Sequence, residues 1–124
     1  MVNLHEIIET QKNLVMVLDY CQQGQIMDYD EDTKEFLPLG DRKYFTEVEV
    51  QRIMRDLVIG LQYCHLNNVC HRDIKPQNIL VDCNGSCKLA DFGSASFLTA
   101  ESDQLKDQVG TMAFFSPEMC DTKI

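Results

Sequence analysis

Cys70-His71-Arg72-Asp73-Ile74-Lys75-Pro76-Gln77-Asn78-Ile79-Leu80 gathers a histidine, two cations, a carboxylate and two carboxamides within eleven residues. Its centre must be a loop, because Pro76 has no N–H and disfavours helical geometry at the preceding Lys75. Asp73 and Asn78 therefore stand five residues apart on irregular backbone. Thirteen residues past Asn78 comes Asp91-Phe92-Gly93, and Ser116-Pro117-Glu118 follows further on. Taken singly, each has an ordinary structural explanation, since an Asp in a turn usually caps the backbone or faces water. Their joint order and spacing carry the information.

Phosphoryl transfer needs a carboxylate near the attacking hydroxyl, oxygen ligands for Mg²⁺ and a cation against the transferred phosphate. Asp73, Asn78, Asp91 and Lys75 are of those types. Mg²⁺ takes oxygen ligands and usually only one or two carboxylates beside substrate phosphates, so one Asp and one Asn amide oxygen suffice. In order and spacing, His71-Arg72-Asp73, Lys75 and Asn78 resemble the H-R-D-x-x-x-x-N catalytic loop of protein kinases; Asp91-Phe92-Gly93 resembles D-F-G, and Ser116-Pro117-Glu118 resembles A-P-E with Ser for Ala. The chain is similar to part of a eukaryotic-type Ser/Thr protein kinase catalytic domain. This resemblance implies an incomplete α+β fold: the end of the small lobe, the hinge and the first half of the helical large lobe. ATP and Mg²⁺ would be the cofactors, Asp73, Lys75 and Asn78 the catalytic group, and Asn78 and Asp91 the metal ligands. Lys75, two after Asp73, goes with Ser/Thr rather than Tyr transfer in the family. Small-molecule kinases share H-x-D-x-x-x-x-N, but Arg72, Lys75, the full Asp-Phe-Gly and Ser-Pro-Glu weigh against that group.

The chain has 124 residues, 44% hydrophobic, which fits one globular domain or a piece of one. Its net charge of −9, from 11 basic and 20 acidic residues, argues against nucleic-acid and anionic-membrane partners. There is no apolar run long enough to span a bilayer and no signal-peptide pattern, so the chain reads as cytosolic or nuclear. Six cysteines form no C-x-x-C pair, and the reading is free, mostly buried thiols rather than disulfides or a zinc site.

In chain order, residues 1–20 read as the last small-lobe strands and the start of the hinge. Leu4 to Ile8 and Leu14 to Leu18 are apolar runs around a polar turn, a hairpin whose second strand is expected to be buried on both sides. By resemblance Leu18 is the gatekeeper, and the backbone of Asp19 and Cys21 meets adenine. Residues 21–45 hold the hinge and an acidic insertion, in which Asp28 to Asp41 carries six acidic side chains and one Lys and is expected to be a solvated loop. In 46–67, Thr46-Glu47-Val48-Glu49 has capping-box form, Val50, Ile53, Met54, Leu57, Leu61 and Cys64 recur at helical spacing, and Asn67-Asn68 supplies a left-handed stop. Residues 70–90 hold the catalytic loop and a hairpin signalled by Asn84-Gly85 between apolar runs. That hairpin brings Asn78 and Asp91 together, and by resemblance Leu80 floors the adenine site.

Residues 91–118 read as a polar connector matching the family's activation segment. Arg72 would pair there with a phosphorylated residue, whose usual position, four before Thr111, holds Asp107. A carboxylate in that place either mimics the phosphate or marks a loop that needs none. Val109 to Glu118 is similar to the substrate-docking turn of the calcium/calmodulin-dependent protein kinase kinase branch, with Met112 in place of Pro; Thr111 and Glu118 are its expected functional positions. Gln23-Gly24-Gln25-Ile26-Met27 has the look of the same branch. That likeness implies protein substrates phosphorylated on Ser/Thr, a downstream kinase among them.

These residues include no Gly-rich loop, small-lobe lysine or lysine-pairing glutamate, so efficient catalysis by this polypeptide alone is not expected. Three functions stay open: part of a Ser/Thr protein kinase, favoured; a non-catalytic kinase-like binding module; and a small-molecule phosphotransferase. The sequence does not set the oligomeric state.

Overall fold

A computed structural model describes residues 1–40, 42–99 and 108–120. Strands β1 (Leu4–Glu9) and β2 (Leu14–Leu18) pair antiparallel as expected, turning where the Thr10 hydroxyl donates to the Asn13 carbonyl at 3.0 Å. The expectation of two-sided burial fails. Every residue of both strands is exposed, because among the described residues no element covers either face of the ribbon.

The second correction concerns the acidic stretch. Its described part contains a hairpin, β4 (Met27–Asp30) and β5 (Glu35–Pro38), rather than a structureless loop. The physical reason lies in its turn and its aromatics. Asp30 Oδ1 accepts from the amides of Asp32 at 2.8 Å and Thr33 at 3.0 Å, Lys34 takes a left-handed φ of 58°, and Tyr29 faces Phe36 across the pair. The short turn disposes of the charges, and the paired rings hold the strands.

Between these hairpins the short strand β3 (Gly24–Gln25) joins β7 (Ile79–Val81) and β8 (Cys87–Leu89) in a three-stranded sheet, ordered β3-β7-β8. The β7–β8 turn is the one that Asn84-Gly85 predicts. Asp82 Oδ1 accepts from Asn84 N at 2.9 Å and Ser86 N at 3.0 Å, and Gly85 sits at φ 78°. Helix α1 (Glu47–Leu66) packs on β8. Thr46 caps it with both halves of the capping box formed, and Asn68 leaves it at φ 56°. Glu49 accepts from the Arg42 guanidinium at 2.6 Å and from Thr46 N at 2.8 Å. These donors, Arg42 foremost, pull its carboxyl down to about 2.

The core is small: Cys21, Ile26, Cys64, Ile79 and Leu89 are its buried apolar residues, joined by His71 and Asn78. Only part of the predicted helix stripe reaches it, since Val50 and Met54 remain exposed. All six cysteines are free, as expected, but Cys83 and Cys120 are exposed and Cys70 and Cys87 half-buried, so burial holds fully only for Cys21 and Cys64. The connector after Asp91 has more order than its composition suggests: β9 (Ser96–Phe97) pairs with β6 (Val69–Cys70), and a 3₁₀ turn spans Met112–Phe114 before the short helix α2 (Pro117–Cys120).

Candidate active site

The site grows from the backbone on either side of β7–β8. Ala90 N donates to Asn78 O at 2.9 Å, one step beyond the last ladder pair, so the hairpin sets Asn78 beside the start of Asp91-Phe92-Gly93. His71, 1% exposed, fixes the other side. Its Nε2–H donates to Ala90 O at 2.9 Å and its Nδ1 accepts from Asp73 N at 3.2 Å. One neutral tautomer satisfies both bonds, and the ring meets Phe92 edge-on at 4.7 Å. Arg72 and Asp91 take left-handed φ values of 67° and 58°. Such backbone costs about 1–3 kcal/mol per residue and persists where neighbours enforce it. Here Arg72 Nε donates to Ser94 O at 2.6 Å, and Asp91 Oδ1 accepts from Gly93 N at 3.1 Å.

Within this frame Asp73, Lys75, Asn78 and Thr111 close into one network. Lys75 Nζ lies 3.0 Å from Asp73 Oδ2, and Asn78 Nδ2 donates to Asp73 O at 2.8 Å and Oδ2 at 3.1 Å. The Thr111 hydroxyl accepts from Lys75 Nζ at 2.7 Å and donates to Asp73 Oδ1 at 2.7 Å. Burial pushes the Asp73 carboxyl up, but the Thr111 hydroxyl, Lys75 and Asn78 outweigh it and hold the group below its ordinary value. Asp73 is thus an ionised carboxylate, an acceptor for a proton at neutral pH. Gly110 makes the closure possible: at φ 105°, an added Cβ would lie 2.4 Å from Arg72 O.

Asn78 and Asp91 suit Mg²⁺ by donor chemistry. The Asn78 amide protons turn toward Asp73, which leaves Oδ1 as its ligand-type atom, and Asp91 spends Oδ1 on Gly93 N, which leaves Oδ2. Among the described residues no group of three or more His, Cys, Asp or Glu side chains could hold a metal. Two oxygens from the protein match the share that Mg²⁺ takes when phosphates supply others.

Of the residues that the resemblance assigns to adenine, Asp19 and Leu80 meet at a cation that sequence reasoning missed. Lys88 is the register partner of Leu80, so the two share a sheet face, and its Nζ reaches Asp19 Oδ2 at 3.0 Å. Asp19 Oδ2 also accepts from Asn3 N at 3.0 Å, and Asp19 Oδ1 accepts from His5 Nε2 at 2.7 Å. The Asn3 amide, then Lys88 and His5, hold the Asp19 carboxyl far below the usual range. This ties the segment after Leu18 to β8. Leu18 is half-exposed at the end of β2, Cys21 is buried, and Leu80 is partly covered. No motif signals Lys88, whose partner lies 69 residues away. Glu118, on α2, has its carboxyl lowered by its own amide and the Ser116 hydroxyl. Asp107 lies outside the described residues. A separate cleft of about 260 Å³ between Ile26, Phe45, Ile53 and Cys87 contains none of the residues assigned chemistry.

The protein kinase domain family model matches residues 1–123. The carbon catabolite-derepressing protein kinase of Secale cereale is 32% identical over 123 residues, covering 99% of this chain and 22% of that protein. NUAK family SNF1-like kinase 2 of Homo sapiens is 34% identical over 120 residues, covering 97% of this chain and 18% of that protein. Serine/threonine protein kinase OSK3 of Oryza sativa subsp. japonica is 32% identical over 123 residues, covering 99% and 22%. The chain thus spans about a fifth of the length of these relatives.

Proposed function

Because the chain belongs to the protein kinase domain family, we propose that it carries the catalytic loop and metal-binding segment of an ATP-dependent Ser/Thr protein kinase. The observation that supports this reading above others is the Asp73–Lys75–Asn78–Thr111 network, in which an ionised carboxylate, a cation and an amide converge on one face of the loop. In the proposed reaction Asp73 would orient the substrate hydroxyl and accept its proton as the oxygen bonds to the γ-phosphorus of ATP and the bond from that phosphorus to the β–γ bridging oxygen breaks, ADP leaving. Lys75 sets its charge against the transferred phosphoryl group. Asn78 and Asp91 would hold Mg²⁺, which supplies charge neutralisation at the phosphates. Leu18, Leu80 and the backbone of Asp19 and Cys21 would enclose adenine. Arg72 and Asp107 would set the activation segment, and Thr111 and Glu118 the docking turn. Gln23 to Met27 and Val109 to Glu118 support placement in the calcium/calmodulin-dependent kinase kinase branch, with a downstream kinase as substrate.

The test pairs binding with turnover. Mg·ATP titrated into the full chain is expected to move the NMR signals of Asn78 and Asp91, and Asp91→Ala to abolish the Mg²⁺-dependent part. Ser-peptide phosphorylation by the longest polypeptide that the transcript encodes is expected to fall about 10²–10⁴-fold in Asp73→Asn, with nucleotide binding spared. Undiminished turnover would remove Asp73 from its role. No Mg·ATP effect at all would favour the binding-module reading.

A further inference from the structure

None of these roles uses the hairpin β4–β5, yet it touches both the catalytic loop and the segment after Gly110. Strand β4 packs on the turn Pro76–Asn78, and the preceding Ile26 is buried with its amide on Ile79 O at 2.9 Å. On the other strand the Phe36 ring meets Tyr29 edge-on at 5.2 Å and Phe114 edge-on at 5.7 Å, with 64° between the latter pair of ring planes. Phe114 in turn closes the 3₁₀ turn on Thr111, its amide donating to Thr111 O at 2.9 Å. Among the described residues little else covers that turn: Met112 is 81% exposed and Phe114 40%. The backbone just before it bends at Gly110, where a φ of 105° gives the segment a permissive joint.

We propose that Phe36 is a positioning residue: through its edge contact with Phe114 it holds the turn 112–114, and thereby keeps the Thr111 hydroxyl on Asp73 and Lys75. The hairpin is then a strut for the catalytic loop rather than a solvated decoration. Its effect on turnover rests on the phosphotransfer reading; its effect on Thr111 does not. An edge-to-face pair of this kind favours the closed arrangement by about two- to tenfold.

The test uses the full chain with ¹³C-labelled threonine and lysine, following the Thr111 hydroxyl exchange and the Thr111–Lys75 side-chain NOEs by NMR, with α1 and β7–β8 amide signals as the fold control. Phe36→Ala and Phe114→Ala are each expected to speed Thr111 hydroxyl exchange about two- to tenfold and weaken the NOEs to Lys75, and Phe36→Tyr, which keeps the ring, to restore both. Peptide phosphorylation by the longer polypeptide is expected to lose about two- to tenfold in kcat with KM for Mg·ATP unchanged. If Phe36→Ala disrupts the hairpin itself, Phe114→Ala decides, since it leaves every hairpin residue in place. Unchanged Thr111 exchange and NOEs in Phe114→Ala overturn the proposal, whatever Phe36→Ala does. Faster Thr111 exchange with unchanged turnover supports the strut and counts instead against the phosphotransfer reading.

Discussion

Replacing Gly110 with alanine tests the closed network with the least chemical change. The new Cβ would stand 2.4 Å from Arg72 O and 3.5 Å from Asp73 Oδ1. Carbon and oxygen rest at about 3.3 Å or more, so the segment must retreat by roughly 1 Å. That retreat carries the Thr111 hydroxyl, now 2.7 Å from both Asp73 Oδ1 and Lys75 Nζ, beyond hydrogen-bonding range. The Asp73 and Lys75 side chains are 10% and 21% exposed, so water replaces these bonds poorly. Each bond to a charged partner contributes about 1.5–3 kcal/mol, and losing even one disfavours the closed arrangement by tenfold or more. The left-handed φ of 105° adds strain that alanine tolerates badly. The assay is the Asp73 carboxyl titration, read beside amide exchange in α1. The Thr111 hydroxyl, with Lys75 and Asn78, holds that carboxyl below its ordinary value against the effect of burial, so loss of the Thr111 bond is expected to raise it. The expected result is an Asp73 titration moved up, unchanged protection in α1, and at least a tenfold loss of phosphotransfer. An Asp73 that titrates in Gly110→Ala as it does in the unsubstituted chain would refute the reasoning.

Acid should loosen the start of α1 before any change at neutral pH is seen. The Glu49 carboxyl is depressed to about 2, so its bonds to Arg42 and Thr46 are fully present above the ordinary glutamate value of 4.5 and are lost as pH falls through about 2; NMR of the Thr46 amide between those limits reads the loss, and a flat Thr46 signal would contradict it. Thiol reagents under native conditions should label Cys83 and Cys120 first and Cys21 and Cys64 last, because burial both covers the latter pair and pushes their thiols up; equal rates at all six would show that the small core is open.

What the residues disclose in advance tracks how local the forces are. Helix α1 is legible to within a residue because both ends are written in adjacent side chains, the Thr46/Glu49 box and the Asn67-Asn68 stop. The β7–β8 turn is equally plain in Asn84-Gly85. Asp73, Lys75 and Asn78 can be found because loop chemistry depends on residue type at short spacing. The hairpin β4–β5 is missed because six acids dominate the composition of its stretch. The competing signal was the two-residue alternation of Met27 and Tyr29 with Phe36 and Pro38 around the Asp30 turn. Thr111 on Asp73 and Lys88 on Asp19 bridge 38 and 69 residues, and no periodicity encodes contacts that only the folded sheet creates. The exposure of β2 escapes a pattern argument for another reason: Val15 and Val17 fit a buried strand whether or not anything covers it.

That ribbon has a colloidal meaning. The exposed Leu4, Ile7, Ile8, Leu14, Val15 and Met16 line a strand pair whose outer edges are unpaired among the described residues, a surface on which another copy could add a strand. Near neutral pH, molecules each carrying −9 repel one another and keep such encounters brief. Protonating carboxylates brings the net charge to zero near pH 4.6 while leaving the apolar edges untouched; at still lower pH the basic groups make the chain positive and repulsion returns. Growth of ribbon on ribbon should therefore be fastest near that pH and slow again toward the more acid range where Glu49 lets go, and light scattering rising with protein concentration would distinguish that assembly from the loosening of a single helix end.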